Sequence, residues 1–410
     1  MKASLPLLLF SLFFLILFFP QFQSIDIIGP QYFFLSLVNL VTLFLFNKSQ
    51  YFFKSSLFYV LIFLLLQIFL SFFYTNNLNI SIVDSSRYLI LLLTIINFSN
   101  LFKFGKISVY NISVVLTICL IIETFWALRP VFIFLYVNDF SNYLNYSSVY
   151  DVGNYIGFAG NKNITAASVA IKFPFLLYFI FSTKPILRNL SYFFVPFFFM
   201  LIFLLRARAV YVSLGLILML YTLYFLYNKK FKFLIIPLFA LGSFVFINYI
   251  TKTNSNSLVN DVSSINISAD SSNNRFLLWD NAISYIKEHP LIGAGYGNWK
   301  IESLPYWKTH LTAYTVPYHA HNDFLEISTE LGIVGGITYL SLFIIMFWKL
   351  FVLFRTLSST NQLFVLTLFC SLSIYFIDAS LNFPFERARM QIMLALIISI
   401  FISRFNFLVK

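Results

Sequence analysis

"LSYFFVPFFFMLIFLLRARAVYVSLGLILMLYTLYFLY", residues 190–227, contains two apolar runs without an Asp, Glu or Lys, joined by Arg206-Ala207-Arg208. At 1.5 Å per helical residue, each run covers about 25–30 Å, the thickness of a bilayer's hydrocarbon core. The pattern recurs along the chain, which is 60% hydrophobic and 21% aromatic with only 10% charge, more apolar surface than a soluble domain can hide. The reading is an all-α integral membrane protein with about twelve transmembrane helices. They fall near 4–19, 29–46, 55–73, 86–101, 107–128, 164–182, 190–205, 209–227, 233–250, 333–354, 361–379 and 390–408. No small-residue cleavage site convincingly follows the first run, so it reads as a membrane anchor.

Charge sets the orientation, because short loops rich in Lys and Arg stay in the cytoplasm. With the N-terminus inside, the cytoplasmic segments hold Lys2, Lys48, Lys54, Lys103, Lys106, Lys184, Arg188, Lys229, Lys230, Lys232, Lys349, Arg355, Arg404 and Lys410, and no acid. Glu123 lies within the fifth helix, and the other acids lie in or beside outward segments. The net charge of +12 is thus mainly a topology signal, with the inner clusters anchoring to anionic membrane lipids; nucleic-acid binding is not supported. Cys119 and Cys370 fall within predicted helices and support neither a disulfide framework nor a thiolate metal site. Two long outward interruptions remain, 129–163 and 251–332, and the second is too long to be a mere connection.

That loop opens with a Ser, Asn and Asp-rich linker over 251–274. Next comes "NNRFLLWDNAISYIKEHPLIGAGYGNW", residues 273–299. Asn274 can cap an amphipathic helix with Phe276, Trp279, Ile283 and Ile286 on its apolar face, ended by His289-Pro290. The glycines of "GAGYG" read as a tight turn, since no strand precedes them to make a nucleotide loop.

The loop closes on "HAHNDFLEISTELGIVGG", residues 319–336, with two of the four histidines. Asn322 is a candidate N-cap. Asp323, Glu326 and Glu330 fall on one helical face, read as solvated, and Gly332 supplies a left-handed stop before the next membrane helix. His321 then sits just outside a positive helix end, where the dipole favours a neutral imidazole able to accept a proton. From spacing alone, a general base and a pair of polar interface residues at His319 and His321 fit equally. A His-x-His metal site fits less well, because the three carboxylates diverge from it.

Arg206 and Arg208 lie at the outer face against the positive-inside tendency, with no acid near in sequence, which points to an anionic ligand. Arg275, Lys162, Arg387 and Arg389 lie on the same side. Guanidinium groups can bind phosphate oxygens in pairs, so this face can hold a diphosphate. For Lys162 and Arg387 taken singly, lipid headgroup contact is the simpler reading.

These residues carry a resemblance. "ARAVYVSLG", the stretch 273–299 and "HAHNDFLEISTELGIVGG" together resemble the O-antigen ligase and O-antigen polymerase superfamily of bacterial membrane glycosyltransferases. His321, Asn322, Leu325, Glu330, Leu331, Gly332 and Gly335 stand at its most specific elements. "GNKNITA" (160–166) and "LNFPFERAR" (381–389) are similar to flanking segments in some members. Ala207 departs, since many members have Ser there. The resemblance implies a GT-C-like fold with residues 1–154 as N-terminal helices, 155–390 as the catalytic region including a periplasmic loop at 251–332, and 391–410 as the last helix and cytoplasmic C-terminus. It implies an inner-membrane enzyme, working at the periplasmic face without metal or cofactor, that moves a glycan from an undecaprenyl-diphosphate carrier to an acceptor hydroxyl.

By that resemblance His321, Arg208 and Arg275 would be catalytic. Arg206, Lys162, Asn163, His319, Asn322, Arg387 and Arg389 would bind substrate, and Glu330, Gly332 and Gly335 would be structural. The favoured acceptor is a lipid A-core sugar, making a ligase; a second lipid-linked glycan would make a polymerase, and a protein hydroxyl an oligosaccharyltransferase. A polysaccharide flippase is the alternative of another class. It should carry charge at mid-membrane, where only Glu123 and Lys172 stand.

Overall fold

The computed structural model describes residues 5–19, 28–46, 55–137, 155–182, 184–251, 270–307 and 317–403. Most of the 251–274 linker, part of the 129–163 segment and Lys2, Lys48, Lys54, Arg404 and Lys410 lie outside them. The described residues form helices α1 (Leu5–Phe13, continued by a 3-10 turn over Phe14–Phe18), α2 (Gly29–Leu45), α3 (Ser56–Ser71), α4 (Leu78–Phe104), α5 (Val109–Val137), α6 (Lys162–Ile180), α7 (Pro185–Leu205), α8 (Arg208–Tyr227) and α9 (Ile235–Thr251). The loop contributes α10 (Asp270–Glu288), α11 (Trp299–Glu302) and α12 (Leu304–Trp307). The chain then closes with α13 (Asp323–Thr356), α14 (Ser359–Leu381) and α15 (Ala388–Ile402).

Among the described residues, seven helices are long and apolar enough to cross a membrane and five shorter apolar helices accompany them, in keeping with the expected twelve. The protein is an all-α membrane protein. Its centre is α6, α14 and α15. Ala166, Ala167, Ser168 and Ala170 let neighbours approach α6 closely, and Ser371 of α14 donates to the Ile171 carbonyl at 2.9 Å. Around this centre α4 packs on α15, α5 and α7 on α6, α8 on α14, and α3 on α13.

Glu123 and Lys172 meet in this core at 2.8 Å, almost fully buried, and Ser168 donates to Glu123 at 2.8 Å. Arg389 comes within 4.0 Å of the same carboxylate. The two charges a flippase would need are therefore bound to each other, as buried ions must be.

Gly332 decides how the loop meets the bundle. Its φ of 72° and ψ of 176° interrupt α13, a backbone region open in practice only to glycine. The kink frees groups that an unbroken helix would pair, and the loop takes them: Ala294 N–H donates to Thr329 O (2.8 Å), Gly295 N–H to Glu330 O (2.9 Å), and Ile333 N–H to Pro290 O (2.9 Å). A Cβ at Gly293 would strike the Thr329 carbonyl, and one at Gly332 would lie 2.5 Å from Leu291 O. Gly335 sits tightly against Leu331, so the helix restarts hard against the turn before the kink. The "GAGYG" stretch is the expected turn, with φ of 88° at Gly295 and 80° at Gly297. Its far side is held by the end of α3 and the start of α4: Asn298 donates to Ser81 Oγ (2.8 Å) and Tyr296 N–H to Ser71 Oγ (3.1 Å).

Two expectations need correction. The loop helix starts at Asp270, so Asn274 lies inside it rather than capping it. Its buried face is Leu278, Asn281, Ala282 and Tyr285, not the face of Phe276 and Ile283, which are exposed. Ala282 lets the helix lie close, and Tyr285 packs edge-on to Trp299 at 5.5 Å, so small residues and one ring outcompete the bulkier stripe.

Gly332→Ala should strain the kink by about 1–3 kcal/mol before any clash is counted. Hydrogen exchange should show faster exchange at Ala294 and Gly295, with the central helices unchanged; unaltered protection there would mean the kink does not hold the loop.

Candidate active site

One end of the bundle gathers the N-termini of α6 and α8, the C-terminus of α14, and the loop. Arg206 caps α7 with a left-handed φ of 50°, and Ala207 caps α8, so both arginines emerge within one tight link. Ala207 provides no side-chain cap. A serine there would satisfy the first N–H groups of α8; alanine leaves that duty open and the helix end electropositive.

Between these elements lies a cavity of about 420 Å³ lined by Lys162, Asn163, Arg206, Ala207, Arg208, Ala209, Val210, Arg275, Asp378 and Asn382. Four cations face one carboxylate there. Asp378 Oδ1 accepts from Asn382 Nδ2 at 2.6 Å, and Arg275 reaches Asn382 Oδ1 at 3.4 Å. Burial lowers the pKa of Arg275, the Asp378 carboxylate opposes that lowering, and the charge of Arg208 adds to it.

His321 adjoins this cavity through a hydrogen bond with Asn382. It precedes the N-cap of α13, holds a left-handed φ of 52°, and its buried Nδ1 has no hydrogen-bond partner. Burial first, then the charges of Arg275, His319 and Arg387, hold its pKa down to about 4. The imidazole is neutral, as the helix-end argument anticipates, but burial is the main cause.

His319 has the opposite character. Its Nδ1 meets Glu326 Oε1 at 2.7 Å and its Nε2 lies 3.6 Å from Glu386 Oε2. Burial alone would lower its pKa, but Glu326, then Glu386, outweigh this and push it up to about 9. The carboxylates of the opening helix are thus no solvated face: Asp323, Glu326 and Glu330 are 3%, 6% and 4% exposed. Glu326 also accepts from the Ala320 N–H (2.8 Å), Asp323 from the Phe385 N–H (3.1 Å) and Glu330 from the Trp299 N–H (3.4 Å). The helix lies under the loop, so that face meets backbone N–H groups instead of water. Nor do all three diverge from the histidines, since His319, Glu326 and Glu386 bring ligand atoms within 4.8 Å of one another. His319 faces each carboxylate with a different nitrogen, which suits a charge cluster better than one metal centre.

Other expected binding residues divide. Lys162 and Asn163 line the cavity. Asn322 spends its side-chain oxygen on the N–H groups of Phe324 (3.0 Å) and Leu325 (3.1 Å), capping α13. Arg387 is 7% exposed, which rules out the lipid-headgroup reading, and lies 4.1 Å over the Phe383 ring. Arg389 lies away from the cavity: it donates to the carbonyls of Leu17, Phe19 and Phe158, tying α15 to the end of α1. Sequence reasoning missed Asp378 and Asn382. Their signal was a four-residue spacing of polar side chains at the end of an apolar helix, one turn apart on the same face.

The two histidines give stability a defined pH window. The folded pKa of His319, about 9 against about 6.5 unfolded, stabilises fully below about pH 6.5, and this is lost as pH rises through 9. His321, depressed to about 4, contributes stability above about pH 6.5 that is lost as pH falls through 4. Thermal unfolding should therefore be most resisted near pH 6.5. His319→Gln should flatten the alkaline arm, worth on the order of 3 kcal/mol; an unchanged arm would contradict the His319 assignment.

No curated protein matches the chain. Residues 193–340 match a family model described as O-Antigen ligase, a span that carries Arg206, Arg208, Arg275, His319, His321, Gly332 and Gly335. Lys162, Asp378, Asn382 and Arg387 lie outside it. The matched stretch runs from α7 into α13, a little over a third of the chain, and supports a likeness to the O-antigen ligase/polymerase superfamily over that span.

Proposed function

We propose that the protein is a periplasm-facing, inverting glycosyltransferase of the inner membrane that moves a glycan from an undecaprenyl-diphosphate carrier to an acceptor hydroxyl, with a lipid A-core sugar as the favoured acceptor. The observation that carries the reading is the cavity in which Lys162, Arg206, Arg208 and Arg275 converge beside His321. A diphosphate is the ligand whose charge and paired oxygens suit that set.

In the reaction the acceptor oxygen bonds to the anomeric carbon as the bond from that carbon to the diphosphate oxygen breaks. The electron pair leaves with the lipid diphosphate, and the acceptor's proton passes to His321. Charge builds on the leaving group in the transition state, where Arg206, Arg208 and Arg275 stabilise it most. The step runs through this chain's own side chains and needs no nucleotide sugar.

A base with a pKa near 4 is weak, and donor binding corrects this. Arg275 is among the charges that depress His321, and it lines the cavity the diphosphate would fill. Neutralising it raises the proton affinity of His321 when the donor is in place. The acidic limb of kcat, which reports the donor complex, should therefore lie at higher pH than that of kcat/KM, which reports the free enzyme.

The test is incubation of the purified protein with a polyprenyl-diphosphate glycan and competing acceptors: a lipid A-core glycolipid, a second lipid-linked glycan and a Ser/Thr peptide. Transfer to the glycolipid is expected. Transfer to the lipid-linked glycan would make the protein a polymerase, and transfer to the peptide an oligosaccharyltransferase. His321→Ala should cost about 100-fold or more, and Arg208→Lys, which keeps charge but loses the planar fork, about 10- to 100-fold. Full rates in both variants, or no transfer by folded protein, would overturn the reading.

A further inference from the structure

One ring joins the two histidines. Phe383 lies face to face with His319, centroids 3.9 Å apart and planes 20° from parallel. The Arg387 guanidinium carbon sits 4.1 Å from the same centroid. Two planar groups this close to one centroid would overlap on a single face, so His319 and Arg387 cover opposite faces. His321 meets the ring's edge at 5.1 Å and 85°.

The ring is held in place from both sides. Asn382 before it is tied to Asp378 and Arg275. After it, Pro384–Glu386 form a 3-10 turn, the Phe385 N–H donates to Asp323 Oδ2 at 3.1 Å, and the Tyr32 hydroxyl donates to the Glu386 carbonyl at 3.1 Å. A ring's faces are its negative regions and its edge its positive region. Cations on both faces are favourable, and the edge offers His321 an apolar wall.

We propose that Phe383 is a positioning residue for the transfer reaction: clamped between His319 and Arg387, its ring fixes the distance of both cations from His321 and shields that imidazole from water. This rests on the reading of His321 as proton acceptor. The charged and polar groups facing His321 are Arg275 from α10, His319 beside it, and Asn382 and Arg387 from the α14–α15 connection. Phe383 touches two of the three cations, so removing it alters desolvation and charge placement together.

The test has a readout that does not need activity. In the full chain reconstituted in lipid and labelled at histidine, NMR titration, with the His321 signal assigned by its loss in His321→Gln, should place His321 near 4. Phe383→Leu and Phe383→Met, which keep apolar bulk without a ring, should raise that value by about one pH unit or more. The acidic limb of kcat/KM should move by the same amount. Phe383→Tyr, which keeps the ring, should restore both. If the Leu variant does not assemble, the Met and Tyr pair decides. A His321 titration unmoved in the ring-less variants would overturn the proposal. A shifted titration in a protein that transfers glycan to no acceptor would uphold the clamp and defeat the reading of function.

Discussion

The exchange of backbone hydrogen bonds at Gly332 is the constraint on which the functional end depends. A helix broken in an apolar setting must find partners for the groups it releases, because each buried orphan costs free energy comparable to a lost hydrogen bond. Here the released carbonyls of Thr329 and Glu330 and the N–H of Ile333 are answered by the 290–295 turn. The loop becomes part of the helix, and the segment from Asp323 to Leu331 before the kink carries His319, His321 and Asn322 over the bundle. Without a left-handed residue at 332 the helix would run straight, and the histidines would have no fixed relation to Arg208 or Asn382.

On that frame the site separates charge into two regions. One side is the cavity of Lys162, Arg206, Arg208 and Arg275, with Asp378 as its acid. The other is the cluster of His319, Glu326 and Glu386, where an imidazolium is matched by carboxylates. Neighbouring histidines therefore take opposite protonation states, an arrangement that assigns roles in acid-base chemistry. Four cations against one carboxylate give the cavity a positive excess, which the charge of the proposed diphosphate would offset.

Much of this was legible in the sequence, for definable reasons. The helix number follows from run length, the kink from Gly332, and the arginine pair from two cations on the wrong side of a charge rule. What was not legible depends on which surfaces meet. Asp323, Glu326 and Glu330 read as a solvated face because nothing in their spacing reveals the backbone N–H groups of Phe385, Ala320 and Trp299 that cover them. Arg389 looked like a ligand for anions, yet it serves the carbonyls of Leu17, Phe19 and Phe158, partners far away in the chain. Asp378 and Asn382 passed unnoticed because a carboxylate at a helix end is ordinary until cations are found around it.

On the proposed function, the cationic cavity holds the diphosphate of a lipid carrier next to His321. The most direct measurement is a structure of the protein in lipid with a non-transferable polyprenyl-diphosphate glycan bound. Phosphate oxygens are expected within about 3 Å of the Arg208 and Arg275 guanidinium groups, with the anomeric carbon on the His321 side of Asn382. A diphosphate bound elsewhere, or a sugar directed away from His321, would contradict it.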